Sequence, residues 1–178
     1  MSFSKQGTPN RTTTVTILQV HLPVGNRLKL DAGYYPLAIG GWKVPTDRRE
    51  TSDKNIGLNV KCSGYNPTPG AQQKPDDHEY ALGREGQVIP VIAFPVNHKN
   101  FWKGIEPLAR GIKKCWREGK TVLFFDDGGD GRAISGVCYF LSRVTGVSGK
   151  VWLPTLIVPN RQIADVFYEL LHQSDVLG

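Results

Sequence analysis

Short apolar runs mark the strands that this chain is expected to form. In residues 12–22 the apolar side chains recur at every second position, which predicts a strand with one buried face. Residues 58–62, between two polar segments, and residues 88–94 are further strand candidates. Residues 121–125 (TVLFF) show no polar alternation, a pattern typical of a strand buried on both faces. We therefore predict strands in both halves of the chain.

Three later segments repeat apolar residues at helical spacing. Residues 101–118 have the clearest period, with Pro107 restricted to the first turn and Gly119 suited to the helix C-cap. A second helix is predicted over residues 132–144, and a third after Asn160, whose side chain can cap it. Strands separated by helices predict an α/β fold with a mixed central sheet flanked by helices.

Proline and turn-forming residues interrupt this pattern in the first half. After a predicted turn, residues 27–30 can pair back as a short strand. Residues 34–39 are apolar, but Pro36 lacks an N–H, so we do not expect an interior strand there. Residues 45–57 and 65–79 are polar and rich in turn-forming residues, and both are predicted to be long surface loops.

Length and composition indicate a single domain over residues 1–178. A chain of 19.7 kDa with 39% hydrophobic residues can bury a sizeable core, while the polar residues 1–11 are expected to be frayed. No apolar run reaches the length of a membrane span, and the N-terminus lacks an apolar signal core. Cys62, Cys115 and Cys138 show no metal-ligand spacing. We predict a reduced, cytoplasmic protein without membrane association.

The distribution of charge indicates which kinds of ligand the protein can attract. The net charge is +6 and the pI about 9.3, with much of the excess in residues 99–120, where it fits the solvated face of a helix. Nucleic acid is not expected, because no stacking aromatics interleave with these cations, but the field would attract an anionic ligand. Residues 76–79 (DDHE) could donate metal ligands, yet adjacent side chains rarely converge on one ion, so no metal site is predicted.

Residues 120–140 (KTVLFFDDGGDGRAISGVCYF) combine a strand, a tight loop and a helix. Residues 126–131 hold three aspartates and three glycines, and must turn sharply. Such a loop directs backbone N–H groups and the N-terminus of a helix to one point, which suits an anion. We call residues 126–132 the anion loop.

The anion loop resembles the signature of the cysteine-dependent tyrosine and dual-specificity phosphatases: a strand, then His-Cys-x-x-Gly-x-x-Arg-Ser/Thr, then a helix. Gly129 and Arg132 match this signature. Asp126 stands at the position of the nucleophilic cysteine, Phe125 at that of the histidine, and Ala133 at that of the hydroxyl residue. The resemblance implies that the ligand would be bound by the remaining residues of the loop: Asp127, Gly128, Gly129, Asp130, Gly131 and Arg132.

The flanking sequence resembles the same family. Residues 88–172 reproduce its order of strand, acid loop, helix, strand, anion loop and last helix, whereas residues 1–85 show no such match. The family's general acid would fall on Val96 or Asn97, and neither side chain can donate a proton as a carboxylic acid does. Together with His98, these residues form the loop expected beside the site.

The resemblance implies a phosphatase-like protein whose reactive groups have been replaced. Our first hypothesis is a non-catalytic binding module, a pseudophosphatase, in which the Asp126 carboxylate occupies the anion position, accepts loop N–H bonds and pairs with Arg132. Its partner would be a phosphorylated or other anionic ligand, or a protein, and no cofactor is needed. Three aspartates against one arginine give the anion loop a formal charge of −2, which disfavours a phosphate dianion.

Two alternatives keep the site active or change its ligand. An aspartate-dependent phosphohydrolase would use Asp126 as nucleophile and Mg²⁺ recruited by Asp126, Asp127 and Asp130. A nucleotide-binding domain is suggested by the run GGDGRAISG, although its glycine spacing differs from Gly-x-Gly-x-x-Gly.

Overall fold

The computed structural model describes residues 15–41, 44–45, 48–64, 68–73, 88–126 and 131–156. Four predicted features lie outside these residues: the frayed segment 1–11, the acidic segment 76–79, residues 127–130 of the anion loop, and the helix after Asn160.

Six strands in the described residues form one mixed sheet. They are β1 (Val15–Leu22), β2 (Gly33–Gly41), β3 (Ile56–Lys61), β4 (Gln72–Gln73), β5 (Val91–Ala93) and β6 (Thr121–Asp126). Their order is β1-β2-β6-β3-β5-β4. The β2–β6, β6–β3 and β3–β5 pairs are parallel, while β1–β2 and β4–β5 are antiparallel. The predicted fold class, a mixed central sheet flanked by helices, is confirmed.

In the described residues, helices either connect parallel strands or follow the last strand, β6. They are α1 (Arg48–Asp53), α2 (Ile105–Arg117), α3 (Gly131–Thr145) and α4 (Gly149–Trp152), with 3-10 turns at Phe101–Gly104 and Leu153–Thr155. Gly119 follows α2 with a φ of +72°, as expected for a C-cap glycine. Within the described ranges, no helix combines the length and the apolar character that crossing a membrane requires.

Both faces of the sheet are buried. Leu37 and Phe124 belong to the larger apolar cluster, which includes side chains of α2 and α3. Leu123 and Phe125 belong to a smaller cluster on the opposite face. All six residues of β6 are buried, so the prediction of a strand covered on both sides is confirmed. This central strand carries the anion loop at its carboxyl end.

β2 is an interior strand even though it contains Pro36, so the prediction for residues 34–39 is wrong. Pro36 lies opposite Gln19 of β1, and the ladder to β6 begins only at Leu37. The Pro36 carbonyl accepts a hydrogen bond from Nε1 of Trp116 (2.8 Å). The N and O atoms of a strand residue point to the same side of the strand. The ring nitrogen of Pro36 therefore faces the Trp116 indole, where the ladder to β6 has not yet begun, so the missing N–H costs no hydrogen bond of the sheet.

Residues 27–30 do not form the predicted short strand. The Asn26 side-chain amide donates hydrogen bonds to the carbonyls of Pro23 (2.9 Å) and Leu30 (2.8 Å). Lys29 has a φ of 57°, in the left-handed region that interrupts an extended chain. The Asn26 side chain therefore satisfies the backbone locally and stabilises a turn in place of a strand pair.

The segment 45–57, predicted as a loop, contains α1, and Thr51 of this helix is only 1% exposed. A helix of six residues is too short to show a recognisable apolar period, which is why the sequence pattern missed it. Of the predicted loop 65–79, the structure describes residues 68–73. This part includes β4, which pairs with β5.

Candidate anion site

The anion loop leaves the sheet at the edge where the parallel strands end. Gly41, the last residue of β2, is paired with Asp126, the last residue of β6. Lys61 at the end of β3 is paired with Phe125 of β6 and with Ala93 of β5. The last residues of these parallel strands therefore lie side by side at one edge of the sheet, and this edge is where open α/β sheets bind ligands.

Asp126 caps the helix that follows the anion loop. Its side chain is buried, with the residue 3% exposed, and Oδ2 accepts a hydrogen bond from the Ala133 N–H at 2.7 Å. Ala133 lies in the first turn of α3, whose N–H groups have no partner within the helix. A carboxylate at this point also interacts favourably with the positive end of the helix dipole. An internal anion therefore lies at the start of α3.

Arg132 does not pair with Asp126. It lies in the first turn of α3, it is exposed, and within the described residues it forms no ion pair with the Asp126 carboxylate. The pairing expected from the sequence is therefore wrong. Gly131 begins the helix, and its carbonyl accepts a hydrogen bond from Ser135 Oγ (2.9 Å). Asp127, Gly128, Gly129 and Asp130 lie outside the described residues.

The loop after β5 approaches the same edge. Val96 is 2% exposed, and its N–H donates to the carbonyl of Cys62 (3.3 Å). The Oδ1 atom of Asn97 is buried without a hydrogen-bond partner within the described part of the chain. His98 faces its own loop, since its Nδ1 accepts the N–H of Asn100 (3.1 Å). The loop thus presents no carboxylic acid at this edge.

Cys62 lies beside the candidate site, although its sequence context did not predict this. Its N–H donates to the Phe125 carbonyl (2.9 Å), which places it beside the end of β6. Burial raises the pKa of the Cys62 thiol well above its ordinary value, and the Asp126 carboxylate raises it further. One feature of the sequence could have indicated this position: Cys62 ends the apolar run 58–62, and a parallel sheet brings the carboxyl ends of its strands together.

Three solved structures illustrate what the chain is similar to. Human DUSP28 is 17% identical, with a TM-score of 0.54 over 79% of this chain and 88% of that chain. Tk-PTP in the active form is 19% identical, with a TM-score of 0.54 over 79% of this chain and 91% of that chain. PTPMT1 in complex with PI(5)P is 16% identical, with a TM-score of 0.52 over 79% and 90%.

The chain has the dual-specificity phosphatase fold. No protein-family model matches it, and no curated protein sequence does either. The structural match covers 79% of the chain, so it extends well into the first half, where the sequence carried no resemblance. In this dual-specificity phosphatase fold, β6 and α3 are the strand and the helix on either side of the anion loop.

Proposed function

We propose that this protein is a non-catalytic binding module of the dual-specificity phosphatase fold, a pseudophosphatase whose own Asp126 carboxylate occupies the anion position. The observation that carries the proposal is the hydrogen bond from the Ala133 N–H to Asp126 Oδ2 (2.7 Å) at the start of α3. A ligand phosphate at this helix N-terminus would need the same N–H group. The internal carboxylate therefore competes with any external anion.

The groups that phosphoryl transfer needs are missing from the described part of the site. A cysteine phosphatase requires a thiolate and a proton donor for the leaving oxygen. All three cysteines are buried, and the one beside the site, Cys62, has a raised pKa, which keeps it in the unreactive thiol form. Val96 and Asn97, at the position expected for the acid, have no proton of suitable acidity.

Electrostatics also disfavour a phosphate dianion. The anion loop has three aspartates and one arginine, hence a formal charge of −2. Each pair of like charges at about 4 Å costs ~1 kcal/mol in water and ~4 kcal/mol at the dielectric of a protein surface. Because Asp126 is buried, its repulsion is screened less than that of an exposed carboxylate. A phosphate dianion therefore meets a much poorer site here than in a cysteine-based loop.

Turnover of p-nitrophenyl phosphate tests the absence of catalysis. We expect no hydrolysis above the buffer rate, with or without Mg²⁺, because the described part of the site has neither a thiolate nor a general acid. The control is Asp126→Asn, which keeps the size of the side chain and should leave this null rate unchanged. Metal-dependent turnover that disappears in Asp126→Asn would instead establish the aspartate-dependent phosphohydrolase, in which Asp126 is the nucleophile.

Anion binding without catalysis is the second candidate function, and the exposure of Arg132 favours it. An exposed guanidinium at a helix start can bind a phosphate in a bidentate manner. PTPMT1, a structure of the same fold, was solved with PI(5)P, which makes inositol phosphates sensible probes. Thermal denaturation with phosphate, inositol phosphates or phosphopeptides would show a raised melting temperature that Arg132→Ala abolishes, because a ligand of the native state stabilises it. An unchanged melting temperature would favour a site in which the Asp126 carboxylate takes the place of any external anion.

A further inference from the structure

A cavity of about 250 Å³ lies at the opposite end of the sheet from the anion loop. Its inner wall is apolar and includes Ile56, Leu58 and Ile92. The C-terminal half of α2 closes one side through Gly111 and Cys115. β6 starts beside this cavity and ends at Asp126, so the two sites are about 17 Å apart, at ~3.3 Å for each step along the strand.

α2 carries a glycine, Gly111, where it crosses the sheet, and this lets the helix backbone approach the strands closely. A Cβ atom on Gly111 would lie 2.6 Å from Cδ1 of Ile92 and 3.4 Å from Cδ2 of Leu58. The floor is therefore already in close contact with the helix backbone, and the open volume lies towards the C-terminal end of α2. Val88, at the rim, is 52% exposed, which leaves an apolar surface open to solvent.

The volume restricts the occupant. Pockets for drug-sized ligands usually span about 300–1,000 Å³, so this cavity is small for a nucleotide or a lipid. One large apolar side chain fits the volume and the apolar wall. Burial of a single aromatic or aliphatic anchor in such a pocket is a common source of affinity at protein interfaces.

The surroundings of the cavity are basic. Residues 113–120 carry Lys113, Lys114, Arg117 and Lys120 against one carboxylate, Glu118, a formal charge of +3. Lys114 and Lys120 line the cavity itself. Within the described residues no carboxylate lies within ion-pair distance of either lysine. The positive charge at the cavity would attract an acidic partner.

We propose that this cavity is a docking site for an acidic segment of a partner protein, which inserts one large apolar side chain between β3, β5 and α2 while flanking carboxylates contact Lys114 and Lys120. The small volume argues for a side chain, and the two lysines that line the cavity specify the charge of the residues beside it. Glu118 at the rim also favours a polypeptide over nucleic acid, because it would repel a continuous phosphate backbone but could pair with a basic residue of a protein.

Fluorescence anisotropy with a labelled short peptide tests this proposal. The peptide has one central phenylalanine with glutamates on both sides, and it is titrated with the full-length protein at about 0.1 M salt. Lys114→Glu should weaken binding by at least about tenfold, because it replaces attraction by repulsion at the rim. Lys103→Glu is the matched control: it makes the same charge change on an exposed residue before α2, away from the cavity, and should alter affinity by less than about twofold.

A second peptide separates the anchor from the charges. Replacing its phenylalanine by alanine should also weaken binding by at least about tenfold if the side chain fills the cavity. Equal binding of the two peptides, equal effects of the two lysine substitutions, or no saturation up to about 1 mM protein would each overturn the proposal. Tighter, Lys114-dependent binding of single-stranded DNA or of anionic lipid vesicles would overturn it as well. None of these outcomes depends on whether the anion loop is catalytic.

Discussion

Asp126→Ala is expected to raise the affinity for inorganic phosphate by at least about tenfold, equivalent to ~1.4 kcal/mol. The substitution frees the Ala133 N–H and removes one buried negative charge from the place where the phosphate would bind. A like charge at about 4 Å costs between ~1 and ~4 kcal/mol, so a tenfold gain is the lower end of the expected range. Isothermal titration calorimetry with phosphate measures the affinity directly.

The same variant should be less stable than the wild type by about 1–2 kcal/mol, because the N-terminus of α3 loses its cap. Urea denaturation measures this loss. Asp126→Asn is the matched control, since it keeps an acceptor oxygen and the side-chain volume but removes the charge, and it should recover part of the stability. An Asp126→Ala protein that is as stable as the wild type and binds phosphate no better would contradict the role given to the carboxylate.

Gly136→Ala is expected to destabilise the protein by about 1 kcal/mol, although alanine favours helices by about 1 kcal/mol over glycine. A Cβ atom at Gly136 of α3 would lie 2.8 Å from Sγ of Cys62, which is fully buried. Overpacking of this kind costs about 1–3 kcal/mol and exceeds the gain in helix propensity. Urea denaturation of Gly136→Ala and the wild type measures this change in the free energy of unfolding, and the Cys62→Ala and double variants are measured in the same way.

Cys62→Ala should reverse the sign of the Gly136 effect. Without Sγ, the nearest atoms to the new methyl group are ring carbons of Phe124 (3.5 Å) and Phe94 (3.6 Å), which are ordinary contact distances. In the Cys62→Ala background, Gly136→Ala should therefore stabilise the protein by up to ~1 kcal/mol, a coupling of about 2 kcal/mol. The same stability change in both backgrounds would show that α3 does not pack against Cys62 as described.

Local patterns in the sequence predicted the elements that hold the anion loop. The run 121–125 lacks polar alternation because β6 is buried on both faces, and the helical period of residues 101–118 reports the side of α2 that faces the core. A glycine-rich turn between these kinds of element points to an anion site for reasons of backbone geometry alone. The fold class, the order of β6 and α3, and the position of Asp126 at the strand end all follow from these signals.

The remaining features depend on contacts that are distant in the sequence. Pro36 fits in β2 because the ladder to β6 begins only at Leu37, and its carbonyl is bonded by Trp116, eighty residues later. Cys62 lies near Asp126 because it follows β3, the strand that pairs with β6. The sequence alone does not specify this strand order. Asp126 was expected to accept backbone N–H bonds and to pair with Arg132. It accepts the N–H of Ala133, whereas the Arg132 side chain is exposed and forms no ion pair with it within the described residues.

The most direct test of the central claim is the amide resonance of Ala133 in a ¹⁵N–¹H correlation spectrum recorded while inorganic phosphate is added. If Asp126 occupies the anion position, this resonance stays in place in the wild-type protein and moves in a saturable way in Asp126→Ala. A saturable shift of the Ala133 amide in the wild-type protein, with an affinity equal to that of the variant, would contradict the account.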